Sequence, residues 1–348
     1  MNIEEAMPTT PLAAPELPAL LESATKALNA LGIKTAIRRS DVADARVDMQ
    51  FSKNKATYLV ECKRYVNSTN LGSIAHRLAT VDTGLLVAEY IAPPVADRLR
   101  ELHIQFVDTA GNAYLHAPPI LIWVSGRKPE KPHVASRMTR AFQPGGIKLI
   151  FALLCKPELA STPYRTIAEA ADVALGTVGW VMRDLQNEKY LLDLGKRGRK
   201  LVSQRKLLEQ WTEGYARQLR PKLLIGRFRS LSQDWQQHMD LPVAGAAWGG
   251  ESAAARMTSY LNPEIATIYL HKNPTLQSEL TKKLRLVKDS EGNVELREVF
   301  WHFDVPDSKG VVPPLLVYAD LLATAEDRNI ETARIIYDEH LARLIEQA

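Results

Sequence analysis

Residues 46–63 read Arg46-Val47-Asp48-Met49-Gln50-Phe51, then Ser52-Lys53-Asn54-Lys55, then Ala56-Thr57-Tyr58-Leu59-Val60-Glu61-Cys62-Lys63. Val47, Met49 and Phe51 alternate with polar residues, and Tyr58, Val60 and Cys62 alternate again after a polar turn. A period of two marks a strand with one buried face, so the stretch predicts two strands joined as a hairpin. Successive strand side chains point to opposite faces, which puts Glu61 and Lys63 on the same one. Asp48, at the base of the first strand, is then expected beside the end of the second. Two converging carboxylates suit a hard divalent cation, and a nearby ammonium can orient or deprotonate an attacking water. Asp48, Glu61 and Lys63 are therefore the candidate catalytic set, with Asp48 and Glu61 as the metal ligands.

Outward from the hairpin, Leu17, Leu20, Leu21, Ala24, Leu28 and Leu31 follow a helical period that Gly32 ends. A short strand is expected over 35–38. Beyond the hairpin come a helix over 71–80, a buried strand over 84–91, a helix over 94–102, and strands over 104–107, 113–115 and 120–124. That order predicts an α/β domain over 1–128. Pro8, Pro11, Pro15 and Pro18 make the first 18 residues a loose arm, and the prolines and glycines of 126–146 read as a linker.

The second unit is expected over 145–204. It has an apolar helix over 147–155, a short helix over 166–172 capped by Thr166 and Glu169, and a third over 176–188 with Val178, Val181 and Leu185 inward. Two short strands then flank Gly195-Lys196-Arg197-Gly198-Arg199. Three helices and a basic hairpin are the pattern of a winged helix-turn-helix. On the third helix Thr177, Trp180 and Arg183 face outward as candidate DNA contacts, and Lys196, Arg197, Arg199 and Lys200 supply the wing. A connecting helix over 204–219 leads to an α+β unit over 220–348. Its strands are expected at 267–270, 284–287 and 294–300, its closing helices within 317–324 and 329–346, and 301–304 reads as a further strand. Gly249-Gly250-Glu251 reads as a tight strand-to-helix turn, and His76 and His103 as ordinary helix residues.

Charge supports the middle unit. The chain of 348 residues carries a net +4, but 137–229 holds 18 lysines and arginines against 8 acids. A basic middle between acidic flanks suits a polyanion such as double-stranded DNA. The 2 cysteines give no disulfide framework or zinc pattern, and no apolar run reaches the roughly 20 residues of a membrane span. Without a secretion signal, the expected compartment is cytoplasmic. The sequence leaves a homodimer open.

Asp48 with Glu61-Cys62-Lys63, in that order of elements, resembles the PD-(D/E)xK nuclease superfamily. The resemblance implies a restriction-endonuclease-like fold, magnesium held by Asp48 and Glu61, water activation by Lys63, and a helical glutamate, Glu22 ahead of Glu16, joining them. The chain as a whole resembles the AbiEi-like antitoxin and transcriptional-regulator family of type IV toxin–antitoxin systems. That resemblance rests on Phe106-Val107-Asp108-Thr109-Ala110-Gly111-Asn112-Ala113-Tyr114-Leu115, on Trp248-Gly249-Gly250-Glu251 with Leu261-Asn262-Pro263-Glu264, and on Val317-Tyr318-Ala319-Asp320-Leu321-Leu322 with Asp327-Arg328-Asn329. It implies a regulator that represses its own operon and counteracts a nucleotidyltransferase-like toxin. The alternative is a magnesium-dependent endonuclease directed to DNA by the winged helix. Mixed α/β multidomain architecture is expected under either.

Overall fold

A computed structural model describes residues 16–40, 43–51, 54–66, 68–78, 83–118, 120–128, 140–231, 241, 245–304 and 310–346. The expected proline-rich arm up to Pro15 and the linker over 129–139 lie outside the described residues. The chain is a mixed α/β protein that divides into two compact units, Met1–Arg137 and Met138–Ala348. No helix among the described residues is long and apolar enough to cross a membrane.

The first unit runs α1 (Glu16–Ala30), β1 (Lys34–Arg38), β2 (Ala45–Phe51), β3 (Asn54–Tyr65), α2 (Ser68–Leu78), β4 (Gly84–Tyr90), α3 (Pro93–Glu101), β5 (Phe106–Asp108), β6 (Ala113–Ala117) and β7 (Ile120–Val124). Its seven strands lie in sequence order in one sheet. β1–β2–β3 is an antiparallel meander, β3–β4–β5 is parallel, and β5–β6–β7 is antiparallel again. The period of two decides which face is covered. Ala45, Val47, Met49 and Phe51 of β2 join Tyr58, Val60 and Cys62 of β3 in a core against Leu20, Leu21, Ala24 and Leu28 of α1. The intervening residues of β2 are only half-buried. α2 crosses the opposite face and packs on β4, supplying the buried Leu71, Ile74 and Leu78.

The second unit begins with α4 (Pro144–Cys155), α5 (Tyr164–Ala171) and α6 (Leu175–Asn187), followed by an antiparallel hairpin of β8 (Leu191–Asp193) and β9 (Arg199–Leu201). α5 starts two residues before the expected cap. Pro163 occupies its N-cap and has no side-chain acceptor to offer, so the helix starts uncapped and Thr166 lies inside its first turn rather than at the cap. α7 (Gln204–Gly214) continues through a π-helical turn, Tyr215–Leu219, into α8 (Arg220–Leu223). The remainder comprises β10 (Leu224–Ser230), β11 (Ala246–Gly249), α9 (Gly250–Thr258), β12 (Ala266–Leu270), α10 (Pro274–Lys283), β13 (Leu286–Lys288), β14 (Val294–Glu298), α11 (Pro314–Leu322), α12 (Asp327–Ile336) and α13 (Ala342–Glu346). Five strands form a sheet ordered β11-β12-β14-β10-β13, with β12 and β14 parallel.

The strand expected at 301–304 is absent. Trp301 turns inward instead, joining Phe300 and Phe303 around Phe151 of α4. Phe151 stacks on Trp211 of α7 at 5.4 Å, and the Trp211 indole donates to the Ile147 carbonyl at 2.9 Å. The His302 amide also donates to the Ala170 carbonyl, at 2.9 Å. α4, α7 and the segment after β14 therefore share one aromatic core.

Candidate functional site

In the first unit the register fixes what meets Glu61. Phe51 pairs with Asn54, so Asp48 lies opposite Thr57 and Ala45 opposite Val60. Asp48 is thus four residues short of Glu61's end of the hairpin, roughly 13 Å along the strand. Its carboxylate is held by Arg38 at 2.7 Å and by the Thr57 hydroxyl at 2.8 Å. Asp44, just before β2, stands where Asp48 was expected. It accepts the Cys62 amide at 2.8 Å, and its own amide donates to the Val60 carbonyl. Glu22 is exposed on α1, whose packing covers the other face of the sheet, so it does not join the acids.

Glu61 and Lys63 are buried, with Lys63 Nζ 3.6 Å from Glu61 Oε1. Arg77 of α2, also buried, pairs with the same oxygen. Burial pushes the Asp44 carboxyl up to about 7, and the Glu61 charge adds to the rise, against the Cys62 amide, Lys63 and Arg77. The cluster is Asp44, Glu61, Lys63 and Arg77. Arg77 could not be read from the hairpin, because it comes from the helix that follows.

Magnesium does not fit this arrangement. Lys63 and Arg77 both occupy Glu61 Oε1. No group of three or more His, Cys, Asp or Glu side chains suited to a metal occurs among the described residues. A divalent ion on Glu61 would have to displace Arg77.

In the second unit, α6 buries Val178, Val181, Met182 and Leu185 against its neighbours. Its outward face starts with glycines. A Cβ on Gly176 would meet nothing within 4 Å, and one on Gly179 would meet only Tyr164 at 4.0 Å. Arg183 stands exposed one turn further on, while Thr177 and Trp180 are half-buried. Thr177 is turned toward α4, where its methyl would lie 3.3 Å from a Cβ on Gly145.

The β8–β9 hairpin exposes Lys196, Arg197 and Lys200. Arg199 is engaged differently from its neighbours. It donates to the Thr162 carbonyl at 2.7 Å and lies 4.6 Å over the Tyr164 ring, tying the hairpin to the start of α5. Ser161 completes the tie, accepting the Arg199 amide at 3.0 Å and donating to its carbonyl at 2.6 Å. Gly198 makes the approach possible. Its φ of +82° and ψ of −157° belong to glycine, and a Cβ there would lie 2.6 Å from Ser161 Oγ.

The C-terminal motifs converge on two buried acids. Glu251 accepts the amides of Glu264 and Ile265, the Arg328 guanidinium and the Asn329 amide. Gly249 and Gly250 form the strand-to-helix turn that delivers it, with Gly250 at φ +48°. Asp320 accepts the hydroxyls of Tyr215 and Tyr269 and the Arg220 guanidinium, all within 3.0 Å. Burial first, then the Asp320 charge, raises both tyrosines above their ordinary values.

Residues 200–342 match the AbiEi_2 family, described as transcriptional regulator, AbiEi antitoxin, Type IV TA system. The matched stretch contains Glu251, Asp320, Arg328 and Asn329 together with the connecting helix. This part of the chain is similar to antitoxin-type transcriptional regulators. No curated protein and no solved structure matches the chain.

Proposed function

We propose that the protein is a DNA-binding transcriptional regulator of the antitoxin type. In this reading α4–α6 and the β8–β9 hairpin act as a winged helix-turn-helix. α6 enters the major groove and the hairpin lies along the phosphate backbone. The observation that carries it is the outward face of α6: bare glycines at 176 and 179, then the exposed Arg183, beside Lys196, Arg197 and Lys200. A glycine-lined face lets a helix sit deep in the groove. A guanidinium at its far end can pair with guanine O6 and N7. Thr177 and Trp180, being half-buried, would serve at the margin, and Arg199 would hold the wing in place. The C-terminal region would counteract a nucleotidyltransferase-like toxin, a role supported by the family match over 200–342.

A reporter driven by the DNA upstream of the protein's own gene tests the regulator. The chain should repress it, and Arg183→Ala combined with Lys196→Gln, Arg197→Gln and Lys200→Gln should relieve repression. Full repression by that variant would sink the winged-helix reading. Rescue from a co-expressed toxin should survive in the same variant.

One observation favours a metal-dependent nuclease as the second reading: Asp44 joins Glu61 and Lys63 at one end of the hairpin. Against it stand the two cations on Glu61. Incubation of duplex DNA with Mg²⁺ or Mn²⁺ decides, because cleavage abolished by Lys63→Ala would favour the nuclease.

A further inference from the structure

The meander β1–β3 leaves part of its second face uncovered. α1 lies over the face that carries Val47, Met49 and Tyr58, and α2 reaches β4 rather than β1 or β2. What remains is an open groove of about 510 Å³ lined by all three strands. Its charged residues are Lys34, Arg38, Arg46, Lys55 and a single acid, Asp48. The pairing arranges them in rungs. Lys34 lies opposite Gln50, and Gln50 opposite Lys55, which makes one cationic rung. Arg38 lies opposite Arg46 and makes a second. Between them the rung Ala36, Asp48, Thr57 carries no free charge, because Asp48 is held by Arg38 and the Thr57 hydroxyl. Arg46 Nε is buried and has no hydrogen-bond partner among the described residues.

An ordinary solvated sheet face mixes both signs of charge. This one presents four cations and one acid, and that acid is already neutralised by one of the cations. The two rungs are four residues apart on β1, roughly 13 Å. Cations that far apart can each meet a different phosphate of one DNA strand. The uncharged middle rung leaves room for a sugar–phosphate chain to lie across the groove.

We propose that this face is a second DNA contact, one that grips the phosphate backbone of duplex DNA and reads no bases. It does not depend on the winged-helix reading, since it lies in the first unit and uses none of the same residues. It gives the first unit a binding role that needs neither a metal nor cleavage.

The test uses the full chain and a fluorescent random-sequence duplex, titrated over a series of KCl concentrations. Lys34→Gln, Arg46→Gln and Lys55→Gln together should lower the slope of log affinity against log salt by roughly 2 to 3, since each phosphate contact contributes about 0.9. Ala36→Glu, which adds an acid to the exposed middle rung, should weaken binding without removing a cation. Far-UV circular dichroism and thermal unfolding confirm that both variants fold. An unchanged slope in the triple variant with undiminished affinity in Ala36→Glu overturns the proposal. Failure of the parent chain to bind random duplex overturns it as well. The parallel variant with Arg183→Ala and the neutralised wing separates the two sites. If it binds like the parent while the groove variant does not, the winged-helix reading fails and the groove stands.

Discussion

Asp44 keeps its proton in the folded protein up to about pH 7, whereas an unfolded chain loses it near 3.8. Between those values the native state holds the extra proton, so stability falls as pH rises, by up to ~1.4 kcal/mol per pH unit. Asp44→Asn should remove that fall while still accepting the Cys62 amide. Unfolding free energies measured by denaturant at pH 5 and pH 7.5 check it; an unchanged pH dependence would mean that Asp44 is ionised throughout. Glu295 behaves oppositely. Burial works to raise its pKa, but Arg297 and Arg220 outweigh it and hold the carboxylate below its ordinary value. Its contribution is therefore present at neutral pH and lost as the solution is acidified below about 4.5. Gly198 makes the sharpest single-residue prediction. Gly198→Ala forces a side chain into a glycine-only conformation against Ser161, at a cost of about 1–3 kcal/mol. Loss of amide-exchange protection confined to 191–201 would confirm that it loosens the wing, and an unaltered hairpin would refute it.

At the scale of elements, Glu251 joins α9, the loop at 264–265 and the start of α12 through one carboxylate. Removing this buried acceptor leaves the amides of Glu264, Ile265 and Asn329 short of a partner, while Arg328 keeps Glu264 and Glu326, so Glu251→Ala should cost about 1–3 kcal/mol. A shift in the urea midpoint measures it; a shift under 1 kcal/mol would show that the motif is not a structural lock. The same scale explains how far the sequence could be read. Alternation in 46–63 was sufficient for β2, β3 and the face each residue takes. It was not sufficient for the choice between Asp44 and Asp48, which share a face and differ only by distance along the strand. That choice depends on the register, set by the pairing of Phe51 with Asn54. The cationic residues of the wing were visible as composition, but the fold-back of Arg199 onto Thr162 and Tyr164 was not, because it depends on a contact between distant segments. Arg77 and the inward turn of Trp301 were hidden for the same reason.

At the scale of the molecule, α4, α7 with the π turn after it, and the segment following β14 share the aromatic core around Phe151, Trp211, Tyr215 and Phe300. α4, on which α6 packs, is thus joined to the region that matches the antitoxin family. Phe300→Ala opens a cavity there and should cost about 3–5 kcal/mol. Hydrogen exchange should then rise in α4 and α7 together with β14. A rise limited to β14 would show that the core is not shared.

The regulator reading is tested most directly by a fluorescence-anisotropy titration of the full chain at 150 mM salt. The two probes are a duplex from upstream of its own gene and a scrambled duplex of the same composition. The parent should favour the native duplex, and Arg183→Ala should reduce that preference by about ten- to a hundredfold, as expected when one guanidinium–base contact worth 1–3 kcal/mol is lost. Equal affinity of the parent for the two duplexes, or a preference untouched in Arg183→Ala, would contradict it.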